Sequence, residues 1–399
     1  MRKPNRRVLP TIIGVSVATT LGANVTVLLV RGGPAAEPAP ASPARANYVA
    51  AAGSFAGVAP ETVAPLGKRL EPHVLVAAPS TLAPTLVQKV RAAKGVKGVE
   101  VVDAVQGVVA GERVGVLGVN PSTFRNYTPE PTAKSDELWR NIAGGDVAIS
   151  FTMGNDGGVK LGNEVPVGGA KVQQTMRVGA YATMGIPDVD AVVTREAARK
   201  LGVPTGNAML VSVPDTEPKA FIKKLKKGLP KGAKAVPVTP ELETPSAGSV
   251  PESNGQVMTA GQVRTVIQAA ASRRGWPYVW GGESESEGGY DCSGLMQYAF
   301  ARAGITLPRV AADQARAGWV IPYEKAEPGD MLIWANDPTA PGYISHIALY
   351  IGEGKMIAAP RRGTVVQVQN VYTNNMKGAV RVNPGRAKQV ADGIAASIG

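Results

Sequence analysis

The 399-residue chain has one cysteine, Cys292, and two histidines, His73 and His346. A single cysteine excludes any disulfide within the chain, so an exported form must be held together by packing alone. So few thiols and imidazoles also exclude a clustered Cys/His metal site. Chemistry that needs an imidazole has only two candidates. A long basic stripe is missing too. The formal net charge of +12 is spread thinly: residues 1–33 carry five basic and no acidic side chains, residues 34–254 net +4 and residues 255–399 net +3. Only the short run Lys223, Lys224, Lys226 and Lys227 concentrates charge. This argues against a nucleic-acid partner and fits weak attraction to an anionic polymer. The apolar share of 44% is that of a globular protein, and the length suits two domains with connecting segments.

One long uncharged run is present, Val8 to Val30. At ~1.5 Å per residue it reaches across a hydrocarbon core of ~30 Å. Arg2, Lys3, Arg6 and Arg7 precede it and Arg31 closes it. The reading is a basic cytoplasmic tip (1–7), a single-pass anchor (8–30) and everything after it outside the membrane. A cleaved signal peptide followed by secretion is the competing reading. Residues 31–65 are rich in Pro, Ala and Gly and read as an extended linker.

Residues 66–240 read as an extracytoplasmic α/β domain. HVLVAA (73–78) and VEVVDAVQGVVAG (99–111) have strand character. Residues 81–93 put Leu82, Leu86, Val87 and Val90 near one helix face, and 191–202 read as a helix stopped by Gly202. LWRNIAGGDVAIS reads as helix then strand, and VKLGNEVPVGG as strand. No nucleophile–base pair is evident here, and His73 reads as structural. Residues 241–257, rich in Pro, Ser, Glu and Gly, form a second linker.

The chemistry lies beyond it. Residues 259–275 form an opening helix with Val263, Val266, Ile267 and Ala270 on one face. WPYVWGG, an acidic insertion ESESEGG and YDCSGLMQYAFARAGI follow. Leu295, Met296, Ala299, Phe300 and Ala303 keep helical spacing, so Cys292 opens a helix rather than sitting within one. Amide groups and the dipole at such an end favour a thiolate. Polar Asp291 and Ser293 flank the thiol, which is unusual for a merely buried cysteine. His346 begins SHIALYIGEGKMI, where Ile347, Leu349 and Ile351 alternate as in a strand. A strand-held imidazole facing a helix-borne thiol is what a Cys–His nucleophile pair needs.

PYVWGG (277–282), DCSG (291–294), LPR (307–309), Gln314, PGDMLIW (328–334), SHIALYIGEGKMI (345–357) and AP (359–360) together resemble the NlpC/P60 family of cell-wall peptidases. The resemblance implies a papain-like α+β domain over 258–385, with the Cys-bearing helix packed on an antiparallel sheet that carries the His, followed by a tail at 386–399. It also implies hydrolysis of peptidoglycan stem peptides, commonly between D-glutamate and a diamino acid, without metal or organic cofactor. On that resemblance Cys292 attacks the amide carbonyl and His346 moves the proton. The Cys292 amide and Tyr278 stabilise the oxyanion, Asp291 and Ser293 contact the peptide, and Arg309 pairs with a substrate carboxylate. Structural roles for Tyr278 and Arg309, and a capping role for Asp291, are the alternatives. Two positions depart from the family pattern. Ala358 occupies the third catalytic position, usually a polar residue that orients the histidine, and Ala311 replaces a Ser or Thr. A histidine at 358 is expected to raise the rate if the pocket has room.

Residues 66–240 resemble the extracytoplasmic core domain of ABC-transporter permeases of the lipoprotein-export class. That resemblance implies a protein partner in a membrane complex, bound through this domain. Two alternatives to the peptidase stand beside it: a catalytically weakened wall-binding or scaffold protein, and a transacylase on the same fold.

Overall fold

A computed structural model describes residues 50, 62–169, 172–186, 189–238 and 257–398. The expected tip, anchor and most of both linkers lie outside the described residues. No described helix is long and apolar enough to cross a membrane.

The first body runs β1 (Val74–Ala77), α1 (Pro84–Arg91), β2 (Gly98–Val109), β3 (Glu112–Val119), α2 (Pro121–Phe124), α3 (Glu130–Lys134), α4 (Asp136–Ala143), β4 (Val147–Ile149) and α5 (Phe151–Asn155). It continues with β5 (Glu164–Gly168), β6 (Gln173–Tyr181), β7 (Val189–Thr194), α6 (Arg195–Lys200), β8 (Ala208–Ser212), α7 (Pro218–Leu225) and β9 (Lys234–Pro237). The strand order is β3-β7-β4-β6-β5-β2-β8-β1-β9, and β3 also pairs with β2. Six strands therefore close into a ring, β3-β7-β4-β6-β5-β2, which removes the exposed edges of that sheet. The long strand β2 belongs to two layers. Its first half pairs with β8, and its second half pairs with β3 across the ring. Outside the ring, β2-β8-β1-β9 is an interleaved β-α-β-β-α-β layer. There Leu86, Val87 and Val90 of α1 and Phe221 and Ile222 of α7 cover Val74, Val76, Met209 and Val211.

Within 66–240 helices α1 and α7 accompany the β2-β8-β1-β9 layer, while the inserted ring is mostly strand. Residues 191–202 correct one expectation. Val189–Thr194 is β7, and only Arg195–Lys200 is helical. Val192 and Val193 are β-branched and buried in the ring, and half-buried Thr194 caps the helix by accepting from Ala197 N.

The second body begins with α8 (Ala260–Ala271), whose Thr259 and Gln262 form a reciprocal capping box. The two-stranded β10 (Glu283–Ser284) and β11 (Gly289–Tyr290) follow, then α9 (Cys292–Arg302) and α10 (Ala311–Gln314). A six-stranded antiparallel sheet has the order β12-β17-β13-β14-β15-β16. Its strands are β12 (Gly318–Ile321), β13 (Met331–Trp334), β14 (His346–Gly352), β15 (Lys355–Ala358), β16 (Gln367–Asn370) and β17 (Met376–Val382). Alternation along β14 sends Ile347 and Leu349 into the core shared with α8 and α9, and Ala348 to the opposite face with Trp334 and Ala358. The expected tail is helical, α11 (Pro384–Ile398), and lies against β9 of the first body.

Candidate active site

Cys292 is the first residue of α9. Asp291 is its N-cap: Oδ1 accepts from Gly294 N at 2.6 Å and from Ser293 Oγ at 3.1 Å, and Oδ2 accepts from Gly281 N at 3.1 Å. The capping alternative read from the sequence is therefore realised. Gly294 permits this junction because a Cβ there would lie 2.1 Å from Gly282 O, so the WGG loop meets the helix backbone to backbone. Asp291 N donates to Gly282 O at 2.8 Å across the same seam.

Arg309 reaches Asp291 through Nη1–Oδ1 at 3.1 Å and Nη2–Oδ2 at 2.7 Å, donates to Ser293 Oγ at 2.9 Å and pairs with Glu283 at 3.2 Å. The resemblance assigned Asp291 and Arg309 to substrate groups, but here each neutralises the other. Gln314 is buried and donates to Ser293 O and Pro308 O, both at 2.9 Å, which ties the LPR segment to the start of α9.

His346 is the first residue of β14, opposite Trp334 of β13. Helix α9 packs on β14, and the Ile347 backbone N–H hydrogen-bonds the Cys292 sulfur. The fold thus places the Cys292 sulfur on the backbone N–H of the residue that follows His346. Both are buried, at 8% and 5% exposure. Burial pushes the Cys292 thiol up, the carboxylates of Asp291 and Asp156 add to this, and the Ile347 N–H opposes it. Burial likewise lowers His346 to about 4. Both directions favour the uncharged forms of the thiol and the imidazole. This corrects the expectation that the helix end favours a thiolate. A helix dipole supplies ~0.3–2 kcal/mol, whereas burying an ion costs several.

Tyr278 is 5% exposed, and its backbone N donates to Thr364 O at 2.9 Å. Burial first, then Asp156, Cys292 and Asp291, hold its phenol well above the ordinary range. No hydrogen bond from a described side chain reaches the His346 imidazole. Its ring leans on Trp334 at 5.6 Å and 49°. Trp334 stacks on Tyr372 at 4.8 Å and donates from Nε1 to Tyr372 O at 3.0 Å. Ala358 is fully buried beside Trp334 on the same face. Its cross-strand partner Gln367 donates to Gln369 Oε1 at 3.0 Å, and Glu353 sits in the hairpin turn at positive φ. Neither is bonded to the histidine.

The sequence reading missed Trp334, Tyr372, Asp156 and Arg362 around the site. Trp334 ends the PGDMLIW phrase but received no role, and Tyr372 carries no local signature. Asn155–Asp156–Gly157–Gly158 does read as a turn, but nothing local ties it to a segment two hundred residues away.

The model of the NlpC/P60 family matches residues 275–382. These residues form an NlpC/P60 domain. The NlpC/P60 domain is 40% identical over 108 residues to the γ-D-glutamyl-L-lysine dipeptidyl-peptidase of Bacillus subtilis, which covers 27% of this chain and 36% of that one. It is 36% identical over 148 residues to the peptidoglycan endopeptidase RipB of Mycobacterium tuberculosis, covering 34% of this chain and 58% of that one. The chain therefore spans about a third to three fifths of the length of these curated relatives. Among solved structures, RipD of M. tuberculosis, described as a non-catalytic NlpC/p60 domain protein adapted to peptidoglycan binding, is 35% identical. The match covers 30% of this chain and 97% of that chain, with a TM-score of 0.27. None of the relatives named here is a permease.

Proposed function

We propose that this protein is a cysteine peptidase that hydrolyses amide bonds of peptidoglycan stem peptides, between D-glutamate and a diamino acid, in wall remodelling or local wall opening. The observation that carries the reading is Cys292 at the start of α9 with its sulfur on the Ile347 N–H, one residue from His346. The thiol passes its proton to the His346 imidazole as the sulfur bonds to the carbonyl carbon. The Cys292 N–H and Tyr278 receive the oxyanion. Collapse breaks the C–N bond, and the imidazolium protonates the departing amine. Water, deprotonated by His346, then splits the thioester to a carboxylic acid and free thiol. The domain lies outside the membrane in this reading, anchored through residues 8–30, with the first body available to a membrane-complex partner.

Defined muropeptides incubated with the chain and read by mass spectrometry test the proposal. Cleavage at the D-glutamyl bond, lost in Cys292→Ala and in His346→Ala, is the expected result. Wild-type turnover no faster than Cys292→Ala on every muropeptide sinks it. A second reading, a wall-binding scaffold, is favoured by Ala358 and by an imidazole that no side chain among the described residues hydrogen-bonds. Muropeptide binding without cleavage would establish it.

A further inference from the structure

The segment that leaves the ring after α5 ends on the peptidase domain. Tyr181 of β6 fixes it from behind: its hydroxyl donates to Val159 O at 2.5 Å and accepts from Leu161 N at 3.0 Å. The turn at its tip is closed by Asp156 N and Gly157 N, which donate to Thr152 O at 2.7 and 3.1 Å. In front, Arg362 receives it. Arg362 N donates to Asp156 O at 2.6 Å, and Arg362 Nη1 donates to Gly157 O at 3.3 Å. Gly158, at φ +72°, admits the Arg362 stem closely, since a Cβ there would lie 3.2 Å from Arg362 Cδ.

Arg362 is tied to Tyr278 through its loop. Residues 361–366 bond directly to the segment Trp276–Tyr278: Tyr278 N donates to Thr364 O at 2.9 Å and Val366 N to Trp276 O at 2.8 Å. The Asp156 carboxyl is close enough to act electrostatically on Cys292, Tyr278 and Tyr372. Two further contacts hold the bodies in this pose. Trp280 of the WGG loop packs against the ring's core. Thr183 N donates to Thr339 Oγ1 at 2.9 Å, and Thr183 Oγ1 donates to buried Asp337, in the loop leading to His346.

A peptide segment bearing a carboxylate therefore lies against the loop that is bonded to Tyr278, within electrostatic reach of Cys292. Its backbone carbonyls are spent on an arginine beside the oxyanion residue. We propose that Asn155–Gly158 is a built-in occupant of the substrate cleft, which keeps Cys292 closed until the first body is drawn away. A partner bound to that body, or strain on it, would then open the site, and Arg362 would be freed for a substrate carbonyl or carboxylate. The consequence for cleavage rests on the peptidase reading, but the closure itself does not.

Because Cys292 is the chain's only thiol, alkylation by iodoacetamide reports on it alone. In the full-length chain, alkylation at pH 8 is expected to be slow. Arg362→Ala, which removes a charged hydrogen bond, and Gly158→Val, which wedges the seam, should each speed it by about tenfold. Rates within twofold of wild type in both variants, with their thermal transitions intact, overturn the proposal. If either variant unfolds, hydrogen exchange on the unaltered chain decides. Slow exchange at Arg362 N with fast exchange after the first body is loosened by mild denaturant supports closure, and an unprotected Arg362 N overturns it. Faster alkylation with no muropeptide cleavage by any variant leaves the closure standing and removes the peptidase reading.

Discussion

Arg309 holds Asp291 with both terminal nitrogens, at 3.1 and 2.7 Å, while Asp291 caps the helix that begins at Cys292. The guanidinium thus supports the N-terminus of the helix that bears Cys292. Its charge is kept high by Asp291 and Glu283 although burial opposes this. Arg309→Ala leaves a carboxylate of 8% exposure without its counter-charge, and because Arg309 is itself only partly buried the loss is expected near the low end for a broken buried pair, about 3 kcal/mol. Arg309→Lys keeps the charge and loses the fork, so it should fall between. Urea denaturation measures both. An alanine variant within 1 kcal/mol of wild type, as an order of magnitude, would mean the pair is not sustained in solution.

Asp156 and His346 give opposing pH dependences. Burial raises Asp156 from 3.8 to about 7, with Asn155 and Arg361 opposing. Burial lowers His346 from 6.5 to about 4. Between those limits the unfolded chain carries a proton on His346 and none on Asp156, and the folded chain carries the reverse. The two states bind equal numbers of protons through these groups, so their contributions to the slope cancel. Asp156→Asn removes one side. The unfolded state then binds the extra proton, and stability should fall by about 3 kcal/mol more than in wild type as pH drops from 6.5 to 4. Denaturation midpoints at several pH values measure the difference. Parallel profiles for the two proteins would refute the assignment.

Much of the second body was legible because its signals are local. The polar pair flanking Cys292, the helical spacing after it and the alternation of Ile347, Leu349 and Ile351 are each contained in a dozen residues, and α9 and β14 follow them. The first body was legible only in pieces. Val74–Ala77, Pro84–Arg91 and Gly98–Val109 fall where periodicity put them. The closure of β3 onto both β7 and β2 was not, because pairing partners are chosen by burial across long separations. Val192 and Val193 misled for the same reason: helical spacing of the later residues outweighed their β-branched preference until the ring claimed them. The Arg362–Asp156 contact had no sequence signal. It joins two loops whose residues are individually unremarkable.

Trp334 is expected to position His346 by packing. The indole is fully buried between the imidazole and Tyr372, and its Nε1–H holds Tyr372 O at 3.0 Å. Trp334→Phe keeps an aromatic ring and loses that bond, at a cost of about 1–3 kcal/mol for the carbonyl left buried. If the indole orients the imidazole, kcat on a muropeptide falls while KM holds, and the His346 ring resonances broaden as the ring samples more orientations. A changed KM with unaltered kcat would assign Trp334 to substrate binding instead.

Ala358 decides how far the third catalytic position can be restored. The sequence led to the expectation that Ala358→His would raise the rate if space allowed. Its methyl is fully buried among Leu332, Trp334, Ala348 and Met356, with β14 and β16 on either side. An imidazole there overfills the layer, at about 1–3 kcal/mol. One of its nitrogens could face His346, but the other would be buried among apolar groups, adding about 1–3 kcal/mol. Ala358→His should therefore lower the denaturation midpoint and leave turnover no higher than wild type. Ala358→Ser, which adds one oxygen to the same methyl, should fold normally and is the better route to a hydrogen-bonded His346. A histidine variant with an unchanged midpoint and faster cleavage would show that the layer opens enough to admit the ring, and that packing against Trp334 is not what holds the wild-type imidazole.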